Sequence, residues 1–234
     1  MSSTLYMIPC PISEDATHTI PMYVRERIYK ITHFIVERSK TARKYLKEIN
    51  HPISQQDLQV VEMDKHDKTY AQKVLKEWFL TGKQIGIISE AGCPGIADPG
   101  ADLVSFAHKE NVKVIPLIGP SSILLALMAS GMNGQKFTFH GYLPNKNPDL
   151  KNKLKTLEKN INREHSAEIF IETPYRNNNL FKEILNSLPG HIKLCIAGDI
   201  TGKRENIRTL SLKGWKQNSF PFKDKIPVIF ILGN

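Results

Sequence analysis

The residues best suited to chemistry lie in one stretch of the chain, residues 84–100 (QIGIISEAGCPGIADPG). The stretch begins with an apolar, β-branched run that predicts a buried strand. It continues as a glycine- and proline-rich loop that holds the carboxylates of Glu90 and Asp98. An amphipathic helical pattern follows over residues 101–109. Because α/β proteins bind ligands where strands run into such loops, the stretch predicts a ligand site. The alternative is a structural turn.

Two other loops carry groups that could bind the same ligand. Residues 119–122 (GPSS) place the hydroxyls of Ser121 and Ser122 at the start of a predicted helix, which suits a carboxylate or another polar group. The alternative for one of these serines is a helix N-cap. Residues 172–176 (ETPYR) join an acid, a phenol and a guanidinium between a strand and a helix. A capping motif with a surface arginine is the alternative there.

Several enzyme classes leave fingerprints that this chain lacks. It has no GxxxxGK[ST] phosphate loop, no GxGxxG after a strand, no HExxH and no GxSxG. Its eight histidines include no pair at helical metal-ligand spacing, and its three cysteines include no CxxC. We therefore expect no metal site and no disulfide framework.

Composition restricts the partners and the compartment. The 234 residues include 32 Lys and Arg against 23 Asp and Glu, a net charge of +9 that favours an anionic partner such as nucleic acid. A solvated lysine-rich surface is the alternative. The sequence has no run long enough to span a bilayer and no secretory signal, and its cysteine count is odd. We expect a protein of the reducing cytoplasm.

Hydrophobic periodicity predicts an α/β fold in two parts. In the first part, short apolar runs alternate with helical patterns, which is typical of a parallel sheet covered on both faces. The predicted strands are residues 4–8, 33–37, 58–62, 85–88 and 112–117, and the predicted helices are 22–30, 40–49, 70–80 and 101–109.

The pattern changes after residue 118, which predicts an N-terminal domain over residues 1–118 and a C-terminal domain over 119–234. The second part is predicted to be a mixed sheet with helices. Its predicted strands are 137–143, 168–172, 193–197, 206–212 and 226–232, and its helices are 123–130, 150–164 and 177–188. The last two strands are expected to form an antiparallel pair.

Four segments of the chain resemble the tetrapyrrole methylase-like (class III) S-adenosylmethionine (SAM)-dependent methyltransferases. Within that family they look most like the ribosomal RNA small-subunit methyltransferase I branch. The segments are residues 5–12 (LYMIPCPI), 88–100 (ISEAGCPGIADPG), 116–122 (PLIGPSS) and 170–176 (FIETPYR), and residues 137–144 (FTFHGYLP) match as well. The resemblance spans nearly the whole chain and keeps the spacing between segments.

The resemblance implies a two-lobed α/β protein, usually a homodimer, with SAM folded in a cleft between the lobes. It assigns one wall of that cleft to Pro9, Ser89, Glu90, Ala91, Gly92, Ile96 and Asp98. It also places Ser121 and Ser122 at the polar end of SAM, and Tyr175 and Ala197 near its adenosine. On the acceptor side it places Lys40, His66, Arg176 and Thr201, with Glu37 as the candidate general base.

The chain departs from the branch pattern on the acceptor side. Ser13-Glu14-Asp15 stands where the branch has Gly-Asn-Leu, and Glu37-Arg38-Ser39-Lys40 stands where it has Glu-Asp-Thr-Arg. Asp199-Ile200-Thr201-Gly202 replaces Glu-Leu-Thr-Lys, and the glycine-acid signature near the last strand is replaced by Lys225-Ile226-Pro227. These changes put the acceptor in question.

The sequence therefore predicts a SAM-dependent methyltransferase that acts on the ribose 2′-hydroxyl of ribosomal RNA. Two alternatives stay open at this point. One is methylation of a small acceptor such as a tetrapyrrole, and the other is a paralogue that binds SAM or RNA without catalysis. The replacement of an aspartate by Arg38 favours the second.

Overall fold

The computed structural model describes residues 3–63, 68–223 and 225–234. The chain folds into two compact units, Met1–Ser121 and Ser122–Asn234. The boundary lies three residues beyond the one expected from the sequence, at 121 rather than 118.

The first unit is built on a five-stranded sheet in which every neighbouring pair is parallel. The strand order is β3-β2-β4-β1-β5, and the strands alternate with helices along the chain. The strands are β1 (Thr4–Ile8), β2 (His33–Val36), β3 (Gln59–Glu62), β4 (Gln84–Ile88) and β5 (Lys113–Pro116). The helices are α1 (Met22–Ile28), α2 (Ser39–Glu48), α3 (Lys68–Leu80) and α4 (Gly100–Lys109), with a short 3-10 helix at Thr17–Thr19.

Successive side chains of β1 enter two different cores. In β1, Ile8 packs in a cluster with residues of α1 and α2, whereas Leu5 and Met7 pack with residues of α3 and α4. This alternation follows from the two-residue period of a strand, and burial of each large aliphatic side chain stabilises the fold by about 1.5–3 kcal/mol. The predicted parallel sheet with helices on both faces is confirmed.

The sheet order determines where a ligand can bind in this unit. Because all five strands are parallel, their carboxyl ends lie at one edge. The chain leaves β2 towards β3 and leaves β4 towards β5, in opposite directions, although β2 and β4 are neighbours. Such a reversal opens a crevice at the carboxyl ends of the two strands.

The second unit contains a mixed sheet in the order β6-β7-β10-β8-β9. Its strands are β6 (Phe137–Tyr142), β7 (Ala167–Glu172), β8 (Lys193–Gly198), β9 (Asn206–Ser211) and β10 (Val228–Gly233). Its helices are α5 (Ser122–Ser130), α6 (Asp149–Glu164), α7 (Asn177–Ser187) and α8 (Leu212–Trp215). Pair β6–β7 is parallel, and the other three pairs are antiparallel. The predicted mixed sheet is confirmed.

The predicted pairing of the last two strands is wrong. β9 and β10 each pair with β8, which lies between them. The connection from β9 to β10 passes through α8 and is too long to act as a hairpin turn, so it does not enforce direct pairing. Residues Leu194–Ala197 of β8 are fully buried, as expected for a central strand.

The α-helical part of the described chain contains no segment with both the length and the apolar character needed to cross a bilayer.

Candidate functional site

The loops that follow β1, β4 and β5 form a continuous structure, here called the cradle. It consists of Pro9, residues 89–100 and residues 117–121. β4, β1 and β5 are neighbours in the sheet, so their three loops lie side by side. The cradle brings together the predicted cofactor residues of the first unit: Pro9, Ser89, Glu90, Ala91, Gly92, Ile96, Asp98 and Ser121.

Backbone hydrogen bonds join the first two loops. The Cys10 N–H donates to the Gly92 carbonyl at 2.8 Å, and the Gly92 N–H donates to the Cys10 carbonyl at 3.1 Å. The Cys93 thiol donates to the carbonyl of Pro120 at 3.4 Å and so contacts the third loop. The Tyr45 hydroxyl of α2 donates to the Pro9 carbonyl at 3.0 Å. The cradle is thus fixed largely by its own main chain.

Two glycines explain the close approach of these loops. A Cβ on Gly119 would lie 2.1 Å from the Cβ of Pro9, far inside van der Waals contact. Gly92 has a φ of +69°, a conformation that residues with a side chain rarely adopt. The glycines therefore keep the backbone of the cradle accessible where side chains would fill it.

Asp98 orders the middle of the loop after β4. Its Oδ1 accepts from the N–H groups of Gly95 at 2.8 Å and Gly100 at 2.7 Å. Burial raises the pKa of this carboxyl, although the two backbone hydrogen bonds oppose the shift. The side chain of Ser89 has a similar structural role, since it is 4% exposed and donates to the carbonyl of Ala91 at 3.2 Å.

Two apolar side chains of the cradle stay in solvent. Ile96 is 51% exposed and Ile118 is 70% exposed. Sequence reasoning named Ile96 but missed Ile118. Ile118 could have been identified from its position, because it lies in a loop between a strand and Gly119, where no helix or strand would bury an apolar side chain. The two side chains can contact the apolar parts of a bound ligand.

A pocket opens beside the cradle, next to the crevice between β2 and β4. We call it the edge pocket; its volume is about 560 Å³. Its lining combines the residues after β1, one face of α2 along its whole length and one residue of the cradle: Cys10, Pro11, Ile12, Ser13, Glu14, Lys40, Thr41, Lys44, Tyr45, Glu48 and Glu90.

Glu90 connects the edge pocket to the end of β2. Its Oε1 lies 3.3 Å from Nε of Arg38 and accepts from the Thr41 hydroxyl at 3.4 Å. Its N–H donates to Oε2 of Glu37 at 3.3 Å, and the N–H of Glu37 donates to the carbonyl of Ile88 at 3.1 Å. Glu37 therefore lies at the junction of β2 and β4. Sequence reasoning did not predict the contact of Arg38 with Glu90.

Charges of both signs surround the edge pocket. Lys44 Nζ lies 3.6 Å from a carboxylate oxygen of Glu14 and 3.8 Å from one of Glu48. Lys40, predicted on the acceptor side, also lines the pocket. The lining therefore offers hydrogen-bond donors and acceptors to a polar ligand.

In the second unit, Arg176 is held by a strand-end acid. Glu172 is 4% exposed, and its Oε1 accepts from the Thr173 N–H at 2.6 Å. Nη2 of Arg176 lies 2.9 Å from Oε2 of Glu172, and the two form an ion pair whose geometry is not that of a hydrogen bond. Arg176 also donates a hydrogen bond to the amide oxygen of Asn145. Arg176 thus helps to fix the turn between β7 and α7.

The other predicted residues of the second unit differ in accessibility. Tyr175 is 74% exposed, and Nζ of Lys225 lies 4.1 Å from the centre of its ring. Ala197 is fully buried in β8, and the N–H of Thr201 donates to a carboxylate oxygen of Glu205 at 2.7 Å. Because β7 and β8 both run antiparallel to β10, Tyr175 and Thr201 follow strands that end at one edge of the sheet.

Ser122 is the first residue of α5 and belongs to the second unit. His66 lies outside the described residues. Within residues 3–63, 68–223 and 225–234, no three His, Cys, Asp or Glu side chains are grouped to hold a metal ion.

The architecture matches that of two solved structures. The structure of the methyltransferase CobJ aligns over 100% of this chain and 94% of its own, with a TM-score of 0.65 and 17% identity. Diphthine synthase aligns over 99% of this chain and 90% of its own, with a TM-score of 0.69 and 12% identity. The chain therefore has the tetrapyrrole methylase fold.

Sequence comparison gives the family. No family model matches the chain. The ribosomal RNA small subunit methyltransferase I of Vibrio cholerae is 31% identical over 208 residues, which cover 89% of this chain and 68% of that protein. The Bacillus subtilis protein of the same name is 30% identical over 208 residues, or 86% of this chain and 65% of that protein. The chain belongs to the ribosomal RNA small subunit methyltransferase I family, as the resemblance predicted, and the matches span about two thirds of these relatives.

Proposed function

We propose that this protein transfers a methyl group from SAM to ribosomal RNA of the small subunit, at a ribose 2′-hydroxyl. The observation that carries the proposal is the cradle. It keeps the motif residues of the family at three adjacent strand ends, in a chain 31% identical to a named ribosomal RNA methyltransferase.

The side chains and backbone of the cradle suit the chemical groups of SAM. SAM has apolar methylene groups beside its sulfonium, a flat adenine and a polar amino-acid end. Exposed Ile96 and Ile118 suit the first two, and the glycine-opened backbone around Gly92 offers donors and acceptors to the third. The residues proposed to hold SAM are Pro9, Ser89, Glu90, Ala91, Gly92, Ile96, Asp98, Ser121, Ser122, Tyr175 and Ala197.

The edge pocket is proposed to receive the acceptor nucleotide. Glu90 belongs both to the cradle and to the pocket lining, so a group in the pocket lies next to the cradle. The pocket also contains Lys40 of the proposed acceptor side, to which His66, Arg176 and Thr201 are assigned as well.

In this reaction the protein mainly has to orient the methyl donor and the acceptor. When bound, SAM supplies a methyl group already activated by its sulfonium. The residues of the cradle and the edge pocket must hold donor and acceptor in line, which supplies much of the rate. A 2′-hydroxyl also has to lose a proton. Glu37 is the proposed base, since its carboxylate lies at the junction of β2 and β4 beside Glu90.

One observation favours a second candidate, a paralogue that binds SAM or RNA without catalysis. Arg38 stands where the branch has an aspartate, and it pairs with Glu90 at 3.3 Å. A cation at this position could hold Glu90 and Glu37 in an arrangement that no longer accepts the hydroxyl proton.

Two further properties are part of the proposal. The protein is placed in the cytoplasm, in keeping with its free cysteines.

It is proposed to form a homodimer, and the exposed apolar side chains of Leu124 and Met128 on α5 are candidates for burial in the dimer interface. Light scattering after gel filtration would give twice the chain mass, and a monomer at micromolar concentration would contradict the dimer.

Transfer of a radiolabelled methyl group tests the function. Small ribosomal subunits from a strain that lacks this gene are incubated with the protein and labelled SAM, and SAM affinity is measured by calorimetry. The proposal expects label in the ribosomal RNA. SAM binding without incorporation would favour the non-catalytic paralogue, and label in a small-molecule fraction instead of RNA would exclude the RNA acceptor.

A further inference from the structure

Helix α6 carries a row of cations that the proposed site does not use. The row consists of Lys151, Lys155, Lys159 and Arg163, each four residues after the one before, and all four side chains are exposed. Residues four apart are neighbours on a helix surface, so the row follows one face of α6. At about 1.5 Å of rise per residue, it extends for about 18 Å.

The opposite face of α6 fixes the helix to its unit. Leu150, Leu154, Leu157 and Ile161 are buried in the core of the second unit. The row is therefore presented on a rigid support instead of a mobile tail. Between the cations lie Asn152, Thr156 and Asn162, which are exposed, uncharged and able to form hydrogen bonds.

The row is unfavourable for the helix itself. Like charges four residues apart destabilise a helix, and the helix dipole disfavours Lys151 in the first turn, although it favours Arg163 in the last turn. Lys151 pairs with Glu183 at 3.8 Å. Among the described residues, none of the other three cations forms an ion pair with a carboxylate. Lys136 and, to a smaller extent, Arg163 lower the pKa of Glu164, so the row has only weak acidic partners on its own unit.

We propose that this basic row binds the phosphodiester backbone of the RNA substrate. Evenly spaced cations on a rigid surface complement a chain of phosphates, and a span of about 18 Å corresponds to roughly five nucleotides at about 3.4 Å each. This inference rests on the proposed RNA acceptor and adds the surface by which the RNA is held. Since the row contacts phosphates, it contributes affinity and register but no sequence preference.

The test measures RNA binding as a function of salt. The wild-type protein is compared with a variant carrying Lys151→Gln, Lys155→Gln, Lys159→Gln and Arg163→Gln. The probe is fluorescent small-subunit ribosomal RNA, at salt from about 50 to 200 mM. A control variant carries Lys73→Gln, Lys109→Gln, Lys213→Gln and Lys216→Gln, which removes four exposed lysines from α3, α4 and the region of α8. Both variants lose the same net charge.

The row variant should bind at least about tenfold more weakly, and the slope of log K against log salt should become less steep by about 3, since each lost phosphate contact removes about 0.7–0.9. The control variant should keep nearly the wild-type slope. Replacing the three lysines of the row by arginine should also keep it. SAM affinity, measured by calorimetry, should be the same in all variants and reports on folding. If the fourfold variant does not fold, Lys155→Gln with Lys159→Gln should give about half of the change in slope.

Three results would overturn the inference: an unchanged slope in the row variant, an equal change in the control variant, or no binding of RNA by the wild type. Loss of binding to vesicles of an anionic phospholipid, with RNA binding intact, would assign the row to a membrane surface instead. Methyl transfer by the wild type is read separately. If the wild type transfers methyl groups to RNA but the row variant binds RNA as tightly as the wild type, only the role of the row is wrong. If the row is needed for RNA binding but the wild type transfers no methyl group, only the catalytic proposal is wrong.

Discussion

The cradle and the edge pocket lie side by side in the first unit, but they are built in different ways. The cradle is held by backbone groups, such as the paired hydrogen bonds of Cys10 with Gly92. The edge pocket is lined by side chains and held by ion pairs, such as Arg38 with Glu90 and Lys44 with Glu14. The first depends on glycines and close approach, and the second depends on which side chains occupy the end of β2 and the start of α2.

The two regions also differ in how far they follow the family. The cradle keeps the resembling segments, whereas the edge pocket contains Ser13, Glu14 and Lys40 at positions where the branch pattern has other residues. A backbone-built site tolerates little change, because an added side chain meets a neighbouring loop, as a Cβ on Gly119 would meet Pro9. A side-chain-built pocket can change its ligand by a few substitutions. The cofactor proposal therefore rests on the cradle, whereas the identity of the acceptor depends on the edge pocket.

The largest effect that separates the two regions is expected from Glu37→Gln. If Glu37 removes the proton of the acceptor hydroxyl, kcat should fall by roughly 10²–10⁴-fold, whereas the Kd for SAM should change little. Steady-state methyl transfer and calorimetry give the two quantities. Glu62→Gln, at the carboxyl end of β3, removes a carboxylate from the same sheet edge and serves as the control. Equal losses of kcat and SAM affinity in the Glu37 variant would point to a folding defect instead.

Gly119→Ala should damage the cradle. The added Cβ would lie 2.1 Å from the Cβ of Pro9, so one of the two loops must move. We expect SAM affinity to fall by about tenfold or more and the free energy of unfolding by about 1–3 kcal/mol, the usual cost of overpacking. Gly134→Ala is the matched control, because no atom lies within 4 Å of its added Cβ. Calorimetric binding of SAM at the wild-type level in the Gly119 variant would remove Pro9 from the proposed site.

Asp98→Ala should weaken SAM binding by a smaller factor, through disorder of the loop after β4. The substitution leaves the N–H groups of Gly95 and Gly100 without their carboxylate acceptor, and hydrogen bonds to a charged group contribute about 1.5–3 kcal/mol. Part of this loss is recovered by water in the open loop, so an affinity loss of about three- to tenfold is expected by calorimetry. An unchanged affinity would mean that the loop is a structural turn only.

Asp98→Asn should alter the pH dependence of stability. Burial raises the pKa of Asp98 above its ordinary value of 3.8, so the native state holds this proton more tightly than the unfolded state. The contribution of this protonated carboxyl to the free energy of unfolding is complete below pH 3.8 and is lost as the pH rises through the raised pKa. The asparagine variant should lack that decline. Urea unfolding from about pH 3 to 7 measures it, and parallel curves for the two proteins would contradict the role of burial.

The smallest effect is expected from Lys44→Gln in the edge pocket. Its ion pairs with Glu14 and Glu48 are solvent-exposed, and such pairs contribute about 0–1 kcal/mol. Thermal unfolding should therefore change by at most a few degrees, and SAM affinity should stay the same. KM for the ribosomal RNA should nevertheless rise if the pocket receives the acceptor. An unchanged KM would place the acceptor elsewhere.

Local patterns were sufficient to predict most elements and two of the three loops of the cradle, whereas Pro9 was assigned by the family resemblance. The run at Thr4–Ile8 and the heptad-like face of α6 were both identified correctly, because side-chain period and turn residues are encoded within a few positions. The glycine- and proline-rich loop after β4 was recognised for the same reason.

Non-local relations were not predictable in this way. The insertion of β8 between β9 and β10 depends on which strand needs two partners, a property of the complete sheet. The contact of Arg38 with Glu90 depends on β2 and β4 being neighbours, although β3 and α3 separate them in the chain. Ile118 was named as a candidate ligand contact only once its exposure was known. The acceptor side depends mostly on such relations, whereas the cofactor side depends mostly on local motifs.

The central claim is that the acceptor is a ribose hydroxyl of small-subunit ribosomal RNA. Mass spectrometry of nucleosides tests it most directly. Ribosomal RNA from a strain lacking the gene is treated with the protein and SAM, digested completely and compared with untreated RNA. The account predicts a new 2′-O-methylated nucleoside that is absent with the Glu37→Gln variant. A base-methylated nucleoside, or no new nucleoside while SAM is bound, would contradict it.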